Sequence, residues 1–174
     1  FFLLVSAPSF SQTIINAERL TSDKDSTLYS LAFSYNGSRG NSITDQLGIS
    51  PAFILTKERN EYKLFGGYSY LSESENVILH SGFVHLRHNY KITERIKSFA
   101  FYQRQFNETL LLNKREVFGG GLRYKFIDKD SLNFDIGLGA IRETEILNRA
   151  TLLPDEISET TFYRASCVSS LSWK

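Results

Sequence analysis

Between Phe118 and Ala140 the chain alternates in character on either side of a polar turn. Phe118, Gly120, Leu122, Tyr124 and Phe126 share one parity, and Gly119, Gly121, Arg123 and Lys125 share the other. After the polar cluster Asp128-Lys129-Asp130-Ser131 the pattern resumes. Leu132, Phe134, Ile136, Leu138 and Ala140 then alternate with Asn133, Asp135, Gly137 and Gly139. Successive side chains of a strand point to opposite faces, so a period of two implies strands, and a polar turn between two such runs implies a β-hairpin. The three adjacent glycines Gly119-Gly120-Gly121 do not make a phosphate loop. That loop needs G-x-x-x-x-G-K-[ST] or G-x-G-x-x-G opening a helix, and here a strand pattern follows instead.

The same alternation recurs along the chain. Tyr29, Leu31, Phe33 and Tyr35 are separated by Ser30, Ala32 and Ser34, and Tyr163, Ala165, Cys167, Leu171 and Trp173 alternate with Arg164, Ser166, Ser170 and Ser172. Eight strands are expected, at 27–37, 42–56, 61–71, 77–90, 95–107, 115–127, 131–143 and 159–173. The segment 96–107 is ambiguous, because Phe99 and Phe101 oppose Ile96 and Tyr102 in parity. Pro51 falls inside a strand and predicts a bulge or bend there. No window carries a helical period, and the repeating unit is the hairpin. Connections at 57–60, 91–94 and 128–130 look short. Those at 38–42, 72–76, 108–114 and 143–158 look longer, which is the rim asymmetry of outer-membrane barrels.

Parity alone does not say which face meets solvent. A soluble lipocalin-like barrel has an apolar lumen, and a membrane barrel inverts it. Three features favour the membrane. The polar faces are rich in Gly, Ser and Asn rather than dense in Lys and Glu. Aromatic residues gather at strand ends, as interfacial girdles do. The secretory-signal pattern of the first residues agrees with the loop asymmetry, and the expected strands reach the ~9–11 residues or more that a tilted transmembrane strand needs. The apolar parity then faces lipid, with Phe118, Leu122, Tyr124, Phe126, Leu132, Phe134, Ile136, Leu138 and Trp173 on it. Lumen-facing charges are Lys63, His85, Arg87, Arg123, Lys125, Asp135 and Arg164. Basic groups outnumber acidic ones, so an open lumen would favour anions. A lumen plugged by ion pairs such as Asp135 with Arg123 is the preferred alternative. Few charges are expected on the lipid face, Asp45 near the outer rim being the exception.

Composition narrows the class further. Twenty basic residues stand against nineteen acidic ones, which argues against a nucleic-acid partner. One cysteine, Cys167, excludes a disulfide framework and paired-cysteine zinc sites. The chain contains no Met, so it is read as starting inside a longer precursor. "FFLLVSAPSFSQ" resembles the tail of a secretory signal, an apolar run followed by small-x-small residues before Gln12. Residues 1–11 are therefore expected to be a signal remnant, 12–26 an N-terminal periplasmic segment, and 27–174 the barrel domain.

Three histidines, His80, His85 and His88, lie close together. On a strand His80 and His88 share a face that His85 does not, so the three do not converge on a metal. A lipid-modifying enzyme at the rim would use His80 with Ser81, yet adjacent strand residues face opposite sides. Neither catalysis nor a cofactor or metal is expected.

From "GNSITDQLGI" through "HSGFVHLRHNYKITERIKSFAFYQRQFN" and "FGGGLRYKFIDKDSLNFDIGLG" to "RASCVSSLSWK", the chain resembles a bacterial family of salt-induced outer-membrane proteins built on a domain of unknown function. The resemblance covers roughly residues 27–174. It implies an all-β, antiparallel up-and-down transmembrane β-barrel in the outer membrane of Gram-negative bacteria, exported through a cleaved signal peptide. Outer-membrane lipid, lipopolysaccharide and the barrel-assembly machinery are its implied partners, and it implies no reaction. Members of that family typically continue for several more strands and end in an aromatic residue. This chain stops at Ser172-Trp173-Lys174, so its eight strands are read as part of a barrel of ten to twelve. The expected role is structural, or that of a narrow channel. A soluble periplasmic lipocalin-like binding barrel is the alternative.

Overall fold

A computed structural model of the chain describes residues 25–40, 42–74, 76–129, 131–148 and 158–173. The expected signal remnant and all of the N-terminal segment except Asp25 and Ser26 lie outside the described residues. Eight strands follow in order: β1 Ser26–Arg39, β2 Ile43–Lys57, β3 Asn60–Glu73, β4 Asn76–Lys91, β5 Ile96–Asn107, β6 Leu112–Lys129, β7 Leu132–Leu147 and β8 Glu159–Trp173. Each pairs antiparallel with its chain neighbour, giving one up-and-down sheet in the order β1 to β8. No pairing joins β1 to β8 among the described residues, so the sheet is not closed. The only helical element described is a 3₁₀ turn, Glu108–Leu110, capped by the Asn107 side chain accepting from the Leu110 N–H.

Three features differ from the sequence-based expectation. Pro51 causes no register shift. Leu31 pairs with Pro51 in an unbroken β1–β2 register, and the β2–β3 ladder lapses between Ile49↔Tyr68 and Ala52↔Phe65 before resuming in step. Proline lacks an N–H, so a ladder gap is the cheaper response. The shifts occur at Leu71/Ser72, Gln105/Asn107, Leu112/Lys114 and Lys125/Ile127 instead. The strands also run further into the connections than expected. β6 begins at Leu112, so only Glu108 to Leu111 separate it from β5, with Leu111 in the left-handed region at φ 55°. The rim asymmetry therefore rests on one long connection, 148–158, rather than on four.

The period of two becomes two faces of opposite chemistry. On one face Lys63, His85, Gln103, Arg115 and Glu143 are each at most 5% exposed, beside Ile54, Phe65, Phe101 and Val117. On the other, Leu64, Leu86, Phe118, Leu122 and Leu138 are open to the surroundings. A single layer has no second sheet to cover it, so one face becomes buried only if the layer curls upon itself. The curl covers β3 to β7, whereas β1 is exposed on both faces.

Phe99 and Phe101 resolve the ambiguous segment, and they explain the glycines. Both rings lie on the inner face, where Phe101 opposes Gly119 and Phe99 opposes Gly121. A methyl group at Gly119 would come 2.6 Å from the Phe101 ring, and one at Gly139 would come 3.1 Å from Phe99. Glycine on β6 and β7 makes the room that the aromatic residues of β5 occupy.

Candidate functional site

The inner face carries three polar clusters, stacked from the short-turn rim toward the long connection. The first is a basin of about 180 Å³, walled by β3 to β7 and the 92–95 turn. Five of the residues expected on the polar face gather there: Lys63, Arg87, Arg123, Lys125 and Asp135. Glu61, Asn89, Glu94, Arg95, Lys97 and Phe99 complete the wall. Lys63 Nζ lies 3.2 Å from Glu61 Oε1, and Asn89 donates to Glu61 Oε2 at 2.6 Å. Arg87 Nε donates to Asn89 Oδ1 at 3.0 Å while its guanidinium sits 5.0 Å above the Phe99 ring. The expected pair of Arg123 with Asp135 is present at 3.4 Å, an ion-pair contact without hydrogen-bond geometry.

The second cluster surrounds His85. Its ring stacks on Phe101 and tilts against Phe65, and Nδ1 lies 3.1 Å from Gln103 Oε1. Gln103 Nε2 in turn donates to Gln105 Oε1 at 2.7 Å. That relay makes Gln103 Oε1 the acceptor, so His85 carries its proton on Nδ1. Its Nε2 has no protein partner among the described residues.

At the far end, Arg115 Nε donates to Glu143 Oε1 at 2.5 Å and approaches Glu145 at 3.3 Å. Arg164, the last of the expected inner charges, reaches Glu143 Oε2 at 3.1 Å from β8. One carboxylate thus holds two guanidinium groups from two different strands. Arg115, Glu143, Gln103 and Lys97 were not singled out from the sequence. Extending the parity of Gly119, Gly121, Asp135 and Gly139 outward along β6 and β7 reaches Arg115 and Glu143. Lys97 and Gln103 depended on the ambiguous face of β5.

The histidines do not converge. His80 and His88 lie on the outer face, where His88 stacks on Tyr62 with ring centroids 4.6 Å apart. His80 pairs with Glu108 at 2.8 Å among the edges of Tyr68, Tyr70 and Phe106. Ser81 faces inward opposite Ser69 and Asn107. Among the described residues no group of His, Cys, Asp and Glu is arranged to hold a metal.

The residues expected on the apolar parity, Phe118, Leu122, Tyr124, Phe126, Leu132, Phe134, Ile136, Leu138 and Trp173, lie on the outer face. Phe126 is the extra residue of the bulge between Lys125 and Ile127 and stays outside, 4.7 Å from the Tyr124 ring. Asp45 is not the lone outer charge. Arg104, Lys114, Glu116 and Arg142 also face outward, on the half of β5 to β7 away from the short turns. There Lys114 pairs with Glu116 at 2.9 Å, and the Tyr102 hydroxyl donates to Glu116 at 2.8 Å.

Residues 31–174 match DUF481, a family described as protein of unknown function. The chain belongs to the DUF481 family. The match begins inside β1 and runs through β8, so all three inner clusters are parts of the DUF481 domain. No curated protein and no solved structure matches the chain.

Proposed function

We propose that this DUF481 chain is an integral outer-membrane β-barrel protein of Gram-negative bacteria, with a structural or narrow-channel role in the envelope. The observation that carries this reading is the inversion of polarity across the sheet. Among the described residues, twenty-seven large hydrophobic side chains are exposed, and apart from Leu28, Phe162 and Val168 on the inner face and Ile92, Leu110 and Leu111 in turns they lie on the outer face, while the core holds only five buried hydrophobic ones. Lys63, His85, Arg115 and Glu143 occupy the interior instead. In water such an outer surface far exceeds the few hundred Å² of apolar patch that a soluble monomer tolerates. In a bilayer it is the surface that lipid demands, and a backbone paired in ladders is what hydrocarbon requires.

Strand length supports the same reading. Strands of twelve to eighteen residues exceed the ~9–11 needed to cross tilted. The outer charges Arg104, Lys114, Glu116 and Arg142 sit toward one end, where lipid headgroups rather than acyl chains would meet them. The unpaired edges of β1 and β8 are the places where closure or further strands would attach. A soluble lipocalin-like barrel needs the reverse arrangement, with the apolar face inside. The reading includes no catalysis, since His80 and Ser81 point to opposite sides of the sheet. Export by signal peptide, insertion by the barrel-assembly machinery, lipopolysaccharide as neighbour and the salt-induced label belong to this proposal as a whole.

Carbonate extraction tests it. The full-length protein is expected to stay with the envelope pellet at alkaline pH and to leave it only in detergent. Release into the carbonate supernatant would sink the membrane reading.

A further inference from the structure

We propose that the basin at the short-turn rim is a binding site for a small, multiply charged oxyanion of the phosphate class. Among the described residues six cations line it, Lys63, Arg87, Arg95, Lys97, Arg123 and Lys125, against three carboxylates, a formal surplus of three positive charges within that lining. The carboxylates are already engaged. Glu61 is held by Lys63 and Asn89, Asp135 by Arg123, and Glu94 by Lys91, which is not part of the wall. Arg95 and Lys97 have no carboxylate partner among the described residues.

The ladder makes the imbalance sharper. Lys63 stands directly opposite Arg87, Lys97 directly opposite Arg123, and Lys91 directly opposite Lys97. Like charges in opposed positions destabilise an antiparallel pair. Two of these pairs, Lys63 with Arg87 and Lys97 with Arg123, line the hollow on neighbouring strands, where a bound anion lowers the repulsion that the carboxylates leave. The volume of about 180 Å³ holds a tetrahedral oxyanion with several waters, since a water's share of liquid volume is ~30 Å³. Guanidinium forks at Arg87, Arg95 and Arg123 suit the paired oxygens of phosphate or sulfate, and ammonium groups add point charge. Access is from the turn side, where the Glu94 side chain is largely exposed. The basin opens on the inner face, away from the apolar exterior, so the ligand is a soluble ion rather than a lipid headgroup.

The test is a titration of the folded full-length protein, in a neutral detergent, with inorganic phosphate. Calorimetry is expected to show saturable binding that sulfate displaces and that chloride at equal ionic strength does not. Phosphate is likewise expected to raise the urea midpoint of the unmutated protein where chloride does not. The double variant R95Q/K97Q changes two exposed side chains and should keep the circular dichroism of the sheet while binding phosphate at least ~10-fold more weakly, an effect of two charge-assisted contacts. Lys57→Gln, at the neighbouring turn outside the basin, should bind as the parent does. Absence of saturable binding in the parent, equal binding by R95Q/K97Q, or equal potency of chloride would overturn the site. Displacement of phosphate by phosphatidylglycerol in mixed micelles would overturn its assignment to a soluble ion. None of these outcomes depends on carbonate extraction, so failure of the site and failure of the membrane reading are told apart.

Discussion

At the long-connection end of the inner face, Arg115 and Arg164 close on a single carboxylate, Glu143; at the short-turn end, six cations share a hollow with three carboxylates. The two ends belong to the same strands and lie on the same face. Their difference is one of matching. Glu143 is 2% exposed and spends both oxygens on guanidinium groups, so that end is filled by its own partners. In the basin the described carboxylates are fewer than the cations, and Arg95 and Lys97 face none of them. A matched network closes a lumen, and an unmatched one keeps a cavity and a field. His85, Gln103 and Gln105 stand between them as a neutral relay packed on Phe65 and Phe101. In a membrane barrel this arrangement is a plug on one side and a vestibule on the other.

The contrast breaks most readily at Glu143. Glu143→Ala takes from buried Arg115 its nearer carboxylate and leaves Glu145 at 3.3 Å, and loss of one partner from a buried pair costs up to about 3–5 kcal/mol. Urea unfolding in detergent should show that loss, and a midpoint unchanged from the parent would mean that Glu143 does not hold the far end. The outer face gives the next largest effect. Leu138→Lys is expected to cost about 2–4 kcal/mol for the protein refolded in vesicles, the penalty for a cation near the bilayer midplane. Were the protein soluble, a lysine at this exposed position would change stability by only a few tenths of a kcal/mol. Vesicle-versus-buffer stability therefore separates the two environments at one residue.

Gly121→Ala comes third. A methyl group there runs into the Leu138 carbonyl and the Gly139 Cα, backbone that cannot step aside. Overpacking of about 2–3 kcal/mol is expected, read as a lowered thermal midpoint. Gly137→Ala on the neighbouring strand is the matched control, because its nearest contact would be 3.6 Å away. Smallest of all is Glu94→Gln. Its pair with Lys91 is exposed on the Glu94 side, so stability should stay within about 0.5 kcal/mol of the parent. A large loss there would make the turn-side charges structural and remove the contrast between the two ends.

Much of this molecule was legible in its residue order, because the strand period is local. Alternation from Phe118 to Ala140 depends only on each residue's neighbours, and the same holds for the faces of Lys63, His85, Arg87, Arg123, Lys125, Asp135 and Arg164. Where parity is broken, residue order alone leaves the face undecided. Phe99 and Phe101 look misplaced on a polar face until Gly119 and Gly121 are seen opposite them, and that opposition is a matter of register between strands. Pro51 predicted a bulge or bend from its missing N–H, but the register shifts fall at positions such as Lys125/Ile127, which no residue type announces.

Residue order dictates an all-β chain of hairpins with one apolar and one polar face, since a period of two acts within each strand. Which charges meet is settled in three dimensions. Bringing Glu143 to Arg115 and Arg164 across diagonal positions of the ladder, or setting Lys97 directly against Arg123, requires residues more than twenty positions apart to meet on neighbouring strands. Curling then brings β3 and β7 to opposite walls of one hollow. Electrostatic energy depends on distance through space, and the chain order alone does not carry that distance.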